Sequence, residues 1–226
     1  MDDGPGRRRN QREEKVKTRY LLFCALLIGV ASAATIHFWP QLPARVPVHW
    51  NAGGVADGYG PKAALWLLGP GMMAMVAWLG VVMPAISPRR FEINGFESTY
   101  YYLSGVVVGL LAYVYALVLA ASLQVLVPMG TAIPAGIFVL LILAGNPLGK
   151  VRRNFFMGIR TPWTLASERV WYATHRLAAR LMVASGLLGL FALWLGAPIW
   201  ALLALMLAWA PLAVGYSLLL YKRLPH

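Results

Sequence analysis

GNPLGKVRRNFFMGIRTPWTLASERVWYATHRLAAR, residues 145–180, lies between apolar runs and decides how the chain is read. Seven of its residues are Lys or Arg, and it is dense in Trp, Thr and Ser. Crossing a bilayer asks for none of this chemistry in a connecting segment. The stretch therefore both separates spans and carries something of its own.

The rest of the chain reads mainly as membrane scaffold. Hydrophobic residues make up 59% of the 226, mean hydropathy is +0.63 and only 12% of residues are charged. A soluble domain carries about 25% charged residues. The class is an all-α polytopic membrane protein. The single cysteine, Cys24, lies in an apolar run, so no intrachain disulfide forms and redox compartment is not indicated.

Six apolar runs predict six transmembrane helices. The first is Tyr20–Trp39, about the length of a spanning helix. Its Ala31-Ser32-Ala33 resembles a signal-peptidase site, but the run continues past it. Residues 1–19 read as a solvated basic tail whose end continues into the first helix. Residues 40–62, with four prolines and four glycines, form a loop that cannot be a long helix. The second span is Ala63–Pro84, with a kink expected at Pro70-Gly71. A short polar loop, 85–99, holds Arg89, Arg90, Glu92 and Glu97. The third span lies within Tyr100–Val127 and opens on three tyrosines suited to the headgroup level. The fourth, Thr131–Ala144, is short and extends into Gly145–Leu148. Leu181–Leu195 and Pro198–Tyr221 are the fifth and sixth.

Six spans put both termini on one side. Eighteen of the twenty Lys and Arg then fall on that side, and only Arg45 and Lys62 on the other. This bias predicts that both termini are cytoplasmic. It also accounts for the net charge of +12, so direct nucleic-acid binding need not be invoked. No Asp, Glu, Lys or Arg interrupts the interior of a run, which counts against an ion-coupled transporter.

Within the opening stretch, Pro147 and the glycines at 145, 149 and 158 argue against a long helix across 146–160. Lys150, Arg152 and Arg153 suit headgroups, and Phe155 and Phe156 suit the bilayer surface. Pro162 disfavours helix at Thr161, so a helix starts at Pro162 or just after Thr164, with a threonine as N-cap. Glu168 then lies in or near a first turn. Glu168, Trp171, Tyr172, His175, Arg176 and Ala179 share one helical face. Two readings stand. In one, Glu168, Arg176 and Arg160 satisfy one another and the aromatics lie along the membrane. In the other, the face and the turn Arg160–Thr164 line a cytoplasm-facing pocket. Glu168 and His175 have the spacing of an acid–base pair, but no activated nucleophile accompanies them.

These residues resemble the signature of the SdpI family of bacterial membrane proteins. In that signature G-N-x-L-x-K-x-R-x-N-x-x-x-G-I-R-T-P-W-T-L leads into S-x-x-V-W-x-x-T-H-R. The matching run here begins at Gly145 and Asn146 and ends at Thr174, His175 and Arg176. Arg153 stands where many members are expected to have Pro, which should loosen the turn slightly. On this basis the candidate docking surface on the cytoplasmic side is Asn154, Arg160, Thr161, Pro162, Trp163, Thr164, Ser167, Glu168, Trp171, His175 and Arg176.

The loop 40–62 holds Leu42-Pro43, Val46-Pro47, His49-Trp50, Gly53-Gly54, Asp57-Gly58 and Lys62. It resembles a DUF1648-type module, a small domain often found before the SdpI signature. The chain then divides into a tail (1–19), a DUF1648-like module (20–84) and an SdpI-like module (85–226). The loop reads as a compact outer cap in which His49 and Asp57 pin the backbone. His49, Asp57 and His37 give at most three metal ligands without compact spacing, so no metal or cofactor is expected. The candidate outer recognition residues are Pro47, His49, Trp50, Gly54 and Asp57.

The resemblance implies immunity to a secreted antimicrobial peptide that attacks the membrane. It also implies sensing of that peptide, with a cytoplasmic transcriptional repressor recruited to the membrane. The expected surroundings are the lipids of a bacterial inner membrane. The alternatives are a transporter or flippase of a small amphiphile, and a membrane enzyme using Glu168 and His175.

Overall fold

The computed structural model describes residues 5–86, 93, 95–154 and 156–224. Arg89, Arg90, Glu92 and Phe155 lie outside these. Among the described residues, six helices are long and apolar enough to cross a membrane. The protein is an all-α polytopic membrane protein that also carries a small β-hairpin.

Helix α1, Pro5–Phe38, starts well before the apolar run, so most of the expected solvated tail is helical. A 3₁₀ turn, Trp39–Gln41, ends it at Pro40. Strands β1, Arg45–Trp50, and β2, Ala56–Pro61, then form an antiparallel hairpin. The second span begins as α2, Ala64–Trp66, and continues as α3, Met72–Ala85. Between them Leu67–Gly71 widens into a π-helical turn around Pro70. Pro70 has no N–H to donate and its ring crowds the preceding turn, so the helix opens where the kink was expected.

Helix α4 spans Glu97–Ser122 and α5 spans Met129–Leu148. Helix α5 runs on through Gly145 and Asn146 to Pro147, so Pro147 lies inside its last turn rather than breaking it. The short α6, Pro162–Ala166, precedes α7, Glu168–Trp194. The amphipathic segment at 168–179 and the fifth span are thus one helix. At 1.5 Å per residue its 27 residues reach about 40 Å, longer than the roughly 30 Å hydrocarbon core. Its first turns therefore stand clear of the core. The sixth span is α8, Ile199–Leu207, and α9, Trp209–Arg223, divided at Ala208. Pro211 explains the break, because it cannot donate to the Leu207 carbonyl.

Helices α1, α3 and α4 pack as one group, α5, α7 and α9 as another, and α4 against α5 joins them. Hydrophobic burial does not drive helices together in lipid, so close fit and interhelical hydrogen bonds must. Tyr20 donates to the Ala77 carbonyl at 3.2 Å. Thr35 and Tyr115 hydroxyls meet at 2.5 Å, and both reach the Ala31 carbonyl. Glycines seat aromatic rings: Tyr115 lies on Gly69, and Phe138 of α5 lies on Gly189 of α7. Gly186 of α7 likewise faces Ile142 of α5.

A Gly189→Leu chain should overpack this seam and cost about 1–3 kcal/mol. Thermal unfolding in detergent should show a lowered midpoint, and an unchanged midpoint would mean that α5 and α7 do not fit as described.

Candidate functional site

The signature stretch folds into a knot against the first turns of α7. Its centre is Asn154, whose side chain is fully buried. Asn154 Oδ1 accepts from the N–H groups of Phe156 (2.8 Å) and Met157 (2.7 Å). Its Nδ2 donates to the carbonyls of Arg152 (2.8 Å) and Met157 (3.1 Å). All four hydrogen-bonding positions of the amide are filled. A loop that cannot pair with itself thereby satisfies its backbone through one side chain.

His175 closes the knot. Its Nδ1 lies 2.8 Å from the Trp171 carbonyl, and its Nε2 accepts from the Ile159 N–H at 3.0 Å. A carbonyl only accepts and an amide N–H only donates. Nδ1 therefore carries the proton, Nε2 is bare and the imidazole is neutral. The two ring nitrogens are both committed to backbone, which leaves neither for proton exchange with Glu168. The close approach needs Gly158, with φ +105°, since a Cβ there would strike the imidazole. The ring also stacks on Trp171 at 4.1 Å and 25°. Trp171 Nε1 in turn donates to the Val151 carbonyl at 2.8 Å.

The turn at 160–164 is fixed in the same way. Thr161 caps α6, with Pro162 in its first turn and a capping box completed by Thr164. Thr164 Oγ1 accepts from the Thr161 N–H at 2.9 Å and donates to the Ile159 carbonyl at 2.8 Å. Helix α7 has its own cap, Ser167, which accepts weakly from Val170 N at 3.4 Å, and Glu168 opens its first turn. Trp163 donates to Ser217 Oγ at 2.6 Å, and the Ser217 hydroxyl donates in turn to the Val214 carbonyl. That pair ties the knot to α9.

The eleven residues proposed as one docking surface therefore divide. Asn154, Thr164, Trp171 and His175 have no accessible surface and point into the knot. The buried stripe of α7 is Val170, Trp171, Thr174, His175 and Ala178, rotated from the expected face. The cause is the loop 149–160, which folds over that side of the helix. Thr174 Oγ1 is the one buried side-chain polar atom without a partner among the described residues. Arg160, Pro162, Glu168 and Arg176 remain exposed, and Thr161, Trp163 and Ser167 are half-buried.

Glu168 pairs with Arg153 at 3.8 Å, a partner outside the expected set of Arg160 and Arg176. Arg153 also donates to the Leu165 carbonyl at 2.9 Å, near the C-terminus of α6. The residue expected only to loosen the turn thus links α6 to α7. Sequence reasoning missed this role and that of the Val151 carbonyl. Neither has a signal in spacing, because each depends on how the loop turns back.

At the opposite end of the bundle the hairpin is exposed at its tip. His49 Nδ1 meets Asp57 Oδ1 at 2.6 Å across the two strands. Their expected bonds to loop backbone are replaced by this direct pair. Backbone pinning falls instead to Asn51, whose Oδ1 accepts from Gly53 and Val55. Pro47 is buried, Trp50 and Gly54 are half-buried, and His49 and Asp57 are exposed. No group of three metal-ligating side chains occurs among the described residues. Gly54, with φ +76°, seats the tip on α5: a Cβ there would lie 2.5 Å from the Gly130 nitrogen.

Asn154→Ala would leave two donors and two acceptors of the loop unpaired, at about 1–3 kcal/mol for each buried group. Limited trypsin digestion should then cut at Lys150, Arg152 or Arg160 faster than in the unaltered chain, while the spans stay intact. Equal cleavage would refute the role given to Asn154.

Comparison with known proteins agrees with these two folded ends. Residues 150–217 match the SdpI/YfhL protein family. Residues 26–74 match DUF1648, a domain of unknown function. The chain is 24% identical over 161 residues to Immunity protein SdpI of Bacillus subtilis (strain 168), covering 71% of this chain and 75% of that protein. No solved structure matches. The protein is thus a multi-pass membrane protein in which a segment that matches DUF1648, residues 26–74, precedes one that matches the SdpI/YfhL protein family, residues 150–217.

Proposed function

We propose that the protein confers immunity to a secreted membrane-active peptide and senses that peptide. Its place is the bacterial inner membrane, with both termini and the knot in the cytoplasm and the hairpin outside. The likeness to Immunity protein SdpI carries the immunity reading. The sidedness rests on the bias of Lys and Arg toward the knot's end.

The observation that favours sensing is the position of α5. Its first turn receives the hairpin tip, with Gly54 against Met129 and Gly130. Its last turn packs Gly145 against Ala179 and Met182 of α7, just below the knot. One rigid helix therefore touches both ends. A ligand that shifts the hairpin displaces α5 and alters the exposed rim of the knot, Arg160, Pro162, Glu168 and Arg176. Such coupling needs two states that differ in affinity for the ligand. The rim then recruits a cytoplasmic partner, a transcriptional repressor in our reading. The reading is non-enzymatic, since both ring nitrogens of His175 are occupied.

Expression in a sensitive host challenged with candidate secreted peptides should give protection. Gly54→Val, which cannot adopt the turn and collides with Gly130, should reduce protection while the protein still reaches the membrane. Arg160→Ala should leave protection intact and reduce peptide-dependent recovery of a cytoplasmic partner. Absence of protection for the unaltered chain against every peptide would overturn immunity. Identical partner recovery with Arg160→Ala would overturn recruitment through the rim.

A further inference from the structure

A groove of about 840 Å³ runs between α1 and α5 along the face of α4. Nothing in the immunity reading uses it. Its floor includes Gly105 and Gly109, where missing side chains leave room, while Gly136 of α5 seats the Tyr113 ring. Phe23 forms one wall, and Tyr113 closes the far end by donating across to the Ala132 carbonyl of α5 at 2.8 Å. Arg19 and Ser98, both exposed, stand at the other end. That end lies on the basic side of the bundle, where α4 begins and α5 finishes.

Two features say what fits. The first is length. From Ser98 to Tyr113 along α4 is about 22 Å at 1.5 Å per residue. One leaflet with its headgroup region is half of roughly 40–45 Å. The second is polarity along the groove. Most of it is hydrocarbon and aromatic ring, while a guanidinium and a hydroxyl sit at the headgroup end. Lys15 and Glu14 lie beside Arg19 in an adjoining hollow, so cations exceed anions at the mouth. An interfacial Arg attracts anionic lipid headgroups.

We propose that this groove holds one anionic phospholipid of the leaflet on the basic side, with acyl chains over Gly105 and Gly109 and phosphate at Arg19. The lipid occupies the gap that α1 and α5 leave because they do not pack on each other. It thereby completes the junction between the two helix groups, which otherwise meet mainly through α4 and α5.

Gly109→Leu tests the acyl site. A Cβ at Gly109 meets only the Phe23 ring, at 4.0 Å, so the leucine enters the groove without striking backbone. Arg19→Gln tests the headgroup contact at an exposed position. Protein in mild detergent, incubated with phosphatidylglycerol or phosphatidylcholine, is examined by native mass spectrometry. The unaltered chain should retain one phosphatidylglycerol with a preference of about fivefold, the effect of one basic side chain at a membrane surface. Gly109→Leu should lose the retained lipid, and Arg19→Gln should keep it but bind both lipids equally. Equal retention by the unaltered chain and Gly109→Leu would overturn the site. So would a dimer of the unaltered chain that Gly109→Leu dissolves with no change in lipid, which would make the groove a contact between copies. Thermal unfolding of each variant without added lipid checks that the bundle is intact. If Gly109→Leu does not fold, equal binding of both lipids by the unaltered chain overturns the proposal by itself.

Discussion

The His175 imidazole joins two pieces of chain that no repeating structure connects. One ring nitrogen holds the Trp171 carbonyl on α7, and the other holds the Ile159 N–H in the loop. A loop at the membrane surface has backbone groups that neither helix nor sheet satisfies, and leaving them bare in a buried site is costly. His175, Asn154 and Thr164 answer this demand one bond at a time. Trp171, which stacks on the ring and holds Val151, keeps the imidazole in the orientation that the two bonds require. The conspicuous polar chemistry of the stretch is therefore largely turned inward. What faces out is a rim, built on a rigid knot.

That rigidity matters for anything transmitted from the far end. The knot rests on α7, α7 is locked to α5 by the Phe138 ring on Gly189 and by Met182 on Gly145, and α5 receives the hairpin at its other end. Packed interfaces of this sort move between discrete arrangements rather than bending continuously. The sixth span gives the counterpoint. It is divided at Ala208, and the Trp163–Ser217 bond attaches the knot to its second part. The rim is thus held by α7 on one side and by a jointed helix on the other.

The spans were legible because the bilayer imposes one strong rule, about twenty apolar residues each. The kink at Pro70 and the continuation of α5 past Ala144 were legible for the same local reasons. The signature was legible as a string, and Thr161 as a cap. The inside of the knot was not. Helical spacing puts Trp171 and His175 on a common face, but only the returning loop decides that this face is buried and that Glu168 and Arg176 remain outside. Arg153 reads from the sequence only as a loosened turn, because its partners, Leu165 and Glu168, are brought near only by the fold. The hairpin reads from the sequence as a compact loop and no further, since Pro47 interrupts the alternation of Val46, Val48 and Trp50, and ADGYGP shows none.

Amide hydrogen exchange across residues 151–164 in lipid nanodiscs tests the central claim, that this stretch is a closed knot. The Phe156, Met157 and Ile159 amides are bonded to Asn154 and His175, and they should exchange as slowly as interior amides of α7. Exchange at the rate of an unstructured chain, with α7 still protected, would contradict the account.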